Sequence, residues 1–82
     1  MATEAQITDI QQKLMLHLLT VKLGVAGQLV YYDDELKLFI LSVHSTGPEK
    51  TEQAAQLAWD SLPAELKQQM ANIGTGFACR QI

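Results

Sequence analysis

Few of the 82 residues have side chains suited to chemistry, and each has to be judged by what lies at working distance along the chain. Cys79 is the only thiol, and a nucleophilic thiolate needs a nearby cation, histidine or helix N-terminus to lower its pKa. Arg80 follows it directly, but neighbours on a strand point to opposite faces. His44 becomes a base for Cys79 only if their two strands pair near their ends. The dull alternative is a small buried residue packed beside Phe77. His17 has no His, Cys or carboxylate three or four residues away, so it forms no helical metal pair. A half-buried imidazole bonded to a backbone carbonyl is expected there.

Asp33, Asp34 and Glu35 form the one dense acidic run. It lacks the twelve-residue frame, central glycine and closing glutamate of a calcium loop, so the acids are expected to keep a turn solvated. Gly74-Thr75-Gly76 lacks the spacing, lysine and following helix of a phosphate loop, and reads as a helix stop leading into a strand. Tyr31 and Tyr32 are adjacent on a strand and face opposite ways, so at least one is accessible. Tyrosine is a favoured contact residue at protein interfaces. The residues expected to meet a partner are therefore Tyr31, Tyr32, Asp33, Asp34 and Glu35. No catalytic set, metal site or cofactor is expected.

These residues must be positioned by an α+β fold of order α-β-β-α-α-β, one domain over residues 1–82. Thr3 and Gln6 make a capping box, and Ile7, Ile10, Leu14, Leu18 and Val21 recur at helical spacing, which predicts a helix over 4–23 stopped by Gly24. Met15, Leu16, Leu19 and Leu23 make its second half apolar nearly all round, so that half should be enclosed. A hairpin follows, strands 28–32 and 36–44, with a three-residue loop pairing Tyr32 with Leu36, Val30 with Leu38 and Leu29 with Phe39. Residues 36–43 are apolar on both sides, which predicts a central strand covered on both faces, by helices or by another subunit.

Thr46-Gly47-Pro48 should end that strand and start a second helix, with Ala54, Ala55, Ala58 and Trp59 facing inward. Pro63 opens a short third helix carrying Leu66, Met70 and Ile73. A last strand over 75–81 places Phe77 and Cys79 on one face. The three-stranded sheet is expected to be mainly antiparallel, the direction of the last strand being open.

The composition narrows the function. Hydrophobic residues make up 48%, with a mean hydropathy of +0.03, which is too apolar for a disordered chain. Net charge is −3, and the six cations are spread evenly along the sequence rather than clustered against phosphate, so no nucleic-acid partner is expected. The Leu14–Leu23 stretch is too short and too interrupted to span a membrane. One cysteine and no basic leader suggest a cytoplasmic setting. The expected function is a non-catalytic protein-binding module, an adaptor, regulator or small inhibitor of a larger intracellular assembly. Apolar surface beyond what one helix pair can cover also suggests a homodimer. The rival reading is a small thiol enzyme using Cys79 with His44.

Overall fold

The computed structural model describes residues 2–44 and 47–82. Its elements are α1 (Glu4–Leu18), β1 (Ala26–Asp33), β2 (Leu38–His44), α2 (Pro48–Ser61), α3 (Ala64–Asn72) and β3 (Gly76–Gln81). The order is α-β-β-α-α-β and the class α+β, as the sequence predicts. The sheet is mixed rather than mainly antiparallel. β2 is central, antiparallel to β1 and parallel to β3. The two helices between β2 and β3 form a crossover long enough to bring the chain back to the Leu38 end, where β3 starts in step with β2.

Thr3 caps α1 as its sequence predicts: its hydroxyl accepts from Gln6 N–H at 3.1 Å, and the Gln6 amide oxygen accepts from Thr3 N–H at 2.9 Å. The helix stops at Leu18, however, not at residue 23. Thr20 turns its hydroxyl back onto the His17 carbonyl at 2.7 Å, and the Thr20 and Val21 amides reach only three residues back. That tightened end releases the chain, so Leu23 enters the core from a loop, at 5% exposure. Gly24 adopts the left-handed conformation (φ +74°) beyond this loop instead of capping the helix.

The hairpin loop is four residues long, not three. Asp33 pairs with Leu38, Tyr32 with Phe39, Val30 with Leu41 and Leu29 with Ser42. The reason is local: Asp33 Oδ1 accepts from the amides of both Glu35 and Leu36 at 2.9 Å, a side-chain turn that draws Leu36 out of the strand. Lys37 closes the loop at φ +58°.

One core joins the pieces. Ile10, Leu14 and Leu18 of α1, Ala54 and Ala58 of α2, and Leu66 and Met70 of α3 close over Val30, Phe39, Leu41 and Val43. Alternation along β2 means that these helices cover one face only. Ile40 and Ser42, on the other face, are nevertheless buried. Tyr31 and Ala78 flank Ile40, Leu29 and Arg80 flank Ser42, and the Arg80 Nη1 donates to the Tyr31 hydroxyl at 3.2 Å across them. Of the two covers expected for β2, helices or another subunit, helices account for one face only; within the chain, strand neighbours shield the second face.

Trp59, expected inside, lies at the rim, its ring 6.0 Å from that of Phe77 with Lys67 Nζ 4.9 Å from its centre. Pro48 takes the first turn of α2 as expected, whereas the strand stop assigned to Thr46 lies outside the described residues. α3 ends in a complete Schellman motif: Gly74 (φ +70°) donates to Ala71 O and Thr75 N–H to Met70 O.

Candidate functional site

The two residues on which the rival thiol reading rests are kept apart. Cys79 pairs with Leu41 on the helix-covered face, whereas His44 lies three residues further along β2, on the opposite face and exposed. The two do not meet. Burial raises the pKa of the half-buried Cys79 thiol, only partly offset by a backbone hydrogen bond from Arg80, which is the reverse of thiolate activation. His17 Nε2 stands 2.7 Å from the Ser61 carbonyl oxygen. A carbonyl only accepts, so Nε2 carries the hydrogen. The ring thereby satisfies a carbonyl left open at the end of α2, the role its sequence surroundings predict. Among the described residues no three of His, Cys, Asp and Glu gather as a metal site. Among the described residues no helix is long and apolar enough to cross a membrane.

The five hairpin residues separate by face. Tyr32 turns inward, its ring 5.0 Å from that of Phe39 and tilted by 56°. Tyr31 turns to the sheet face without helices, where its hydroxyl accepts from Arg80. That bond and the charge of Asp33 further favour the protonated guanidinium. Asp33 is committed to the turn, and Asp34 makes an exposed ion pair with Lys37 at 3.3 Å. Glu35 is exposed. The hairpin therefore places one phenol on the open sheet face and two carboxylates at the tip.

An apolar groove among the described residues lies elsewhere. Leu16 and Leu19, on the half of α1 expected to be enclosed, are 68% and 65% exposed. With Thr8, Gln11, Gln12 and Met15 they line a groove of about 510 Å³. Leu29, 55% exposed, belongs to the other, helix-free sheet face, while the amide of the next residue, Val30, donates to Met15 Sδ at 3.1 Å. Gln11 Nε2 donates to the Val30 carbonyl at 3.1 Å.

These two side chains close the outer edge of β1 at Val30, so this edge is not a free template for another strand. The outer edge of β3 differs. Gly76 N–H bonds back to Lys37 O and Ile82 N–H to Val43 O, so alternation turns the amides of Phe77 and Cys79 outward. Sequence reasoning missed the edge closure by Gln11 and Met15. The available signal was a polar residue bordering the apolar stripe one turn from a methionine. Compared with the known protein families, with curated proteins and with solved structures, the chain matches none.

Proposed function

We propose that this chain is a non-catalytic protein-binding module, an adaptor, regulator or small inhibitor of a larger cytoplasmic assembly, which also associates with itself. The observation that carries the reading is the exposure of Leu16 and Leu19, side by side on one uncharged groove. Each buried leucine is worth about 1.5–3 kcal/mol over an exposed one, and only a partner can recover that here. A contiguous apolar flank rimmed by uncharged polar residues has the composition of a contact surface.

The hairpin supplies the polar part of the same reading. Tyr31 presents its ring beside Arg80, and Asp34 and Glu35 stand clear at the tip. Asp33 fixes the shape of the tip, and Tyr32 anchors it to the core. The acidic tip favours protein over a phosphate backbone as partner.

The test is affinity capture from the native host with the wild-type chain, a Tyr31→Ala variant and a Leu16→Glu/Leu19→Glu variant. A protein retained by the wild type and lost by a variant is the expected result. The reading is overturned if nothing is retained and if Cys79 reacts rapidly at neutral pH with loss of a measurable turnover in Cys79→Ser.

A further inference from the structure

We propose that two copies of the chain pair through the outer flank of α1, helix beside helix, about a two-fold axis running along the seam. This rests on the protein-binding reading above and commits that surface to one occupant, a second copy. Thr8, Gln12, Met15 and Leu19 recur at intervals of four, three and four, the spacing by which one helix packs along another. Thr8, Gln12 and Leu19 stand outside the core formed with Ile10, Leu14 and Leu18, whereas Met15 is half-buried against it and presents only part of its side chain to the seam.

Three properties select a copy of the chain over a different partner. The first is charge. Each chain carries −3, so two copies repel over most of their surface, yet none of the six residues lining the groove is charged. Beside the groove, Asp9 and Lys13 are paired with each other at 2.9 Å, and Glu4 stands one turn before Thr8, at the helix start. The second is chemistry. A glutamine amide both donates and accepts, so Gln12 satisfies its own copy across a two-fold axis, as a lysine or glutamate could not. A single polar residue in an otherwise apolar seam also fixes register. The third is pattern. Parallel pairing sets Met15, Leu16 and Leu19 against the same apolar side chains and leaves Thr8 opposite Thr8, so both ends match. An isologous contact needs that self-complementarity.

The area sets the strength. α1 has 15 residues and is roughly 22 Å long. A seam of that length covers on the order of 500 Å² per copy, at the low end for a specific interface. The dimer is therefore expected to be a weak one, with monomer and dimer exchanging within the accessible concentration range.

Sedimentation equilibrium of the full chain across about 1 to 300 µM tests this. The mass should rise from 9.1 kDa toward twice that value. Leu16→Glu/Leu19→Glu should stay at the monomer mass with an unchanged circular dichroism spectrum, because both side chains are already exposed. A second arm needs no disruptive change. In a Cys79→Ser background, Gln12→Cys should cross-link to its own copy under mild oxidation, whereas Gln53→Cys on α2 should not. A wild-type chain that remains monomeric throughout overturns the pairing of copies, while the capture experiment still decides the broader reading. Association that survives in the double glutamate variant, or cross-linking at position 53 as fast as at 12, also overturns it. If the glutamate variant does not fold, the cross-linking arm decides alone.

Discussion

Replacing Gln11 with methionine should destabilise the protein although it removes no apolar contact and opens no cavity. The Gln11 side chain donates to the carbonyl of Val30, a residue only 1% exposed. Methionine has a similar length and helix propensity but nothing to donate. The carbonyl would then face a thioether and stand without its partner on that side. Leaving a buried acceptor unsatisfied costs about 1–3 kcal/mol. Gln11 itself is only half-buried, so water can recover part of this, and about 1–1.5 kcal/mol is expected. For a domain of this size such a loss lowers the Tm by roughly 4–10 °C. Urea melts followed by circular dichroism, read as a shift of midpoint at constant slope, measure it directly. Gln53→Met, exposed on α2, serves as the control and should change stability by less than about 0.5 kcal/mol. A Gln11→Met loss no larger than the control would show that water reaches the Val30 carbonyl, and would remove the argument that α1 closes this edge.

Leu14→Ala should cost about 3–5 kcal/mol, since Leu14 is wholly buried, whereas Leu16→Ala two residues on should cost less than about 0.5; paired urea melts at a concentration where the chain is monomeric show whether α1 is oriented as described. Gly76→Ala places a methyl 2.8 Å from Leu38 Cδ2, and because that atom ends a flexible side chain the cost should be about 1 kcal/mol and shrink in a Leu38→Ala background, as a double-mutant cycle would measure. Cys79 has a raised pKa through burial, so its thiol should react with disulfide reagents more slowly than in the unfolded chain at neutral pH. The sign for stability follows: the folded form holds its proton more tightly, so the contribution is complete below the unfolded thiol pKa of about 8.5 and is lost as pH rises through the higher folded value. Cys79→Ser should remove that alkaline decline, and an unchanged slope would show that burial of the thiol is not its source.

What the sequence disclosed divides by the range of the physics involved. The Thr3 capping box, the glycine stop after α3 and the bonded His17 are set by residues within a few positions or by one missing partner, and all three are present. The hairpin register was set by a competition between two local turns. Strand propensity at Leu36 suggested three loop residues, but Asp33 binds two amides at once and draws a fourth residue into the turn. The direction of β3 was not legible, because a crossover of two helices can deliver the chain to either end of the sheet.

The case of α1 joins local pattern to function. Apolar residues all round its second half signify enclosure only if the fold has material on every side, and a three-stranded sheet of 82 residues has too little. The chain instead ends the helix early and spends Leu14 and Leu18 on the core. It uses Gln11 and Met15 to close the sheet edge and leaves Leu16 and Leu19 outside. Their outward placement leaves on this helix an uncharged apolar flank that its own fold does not cover.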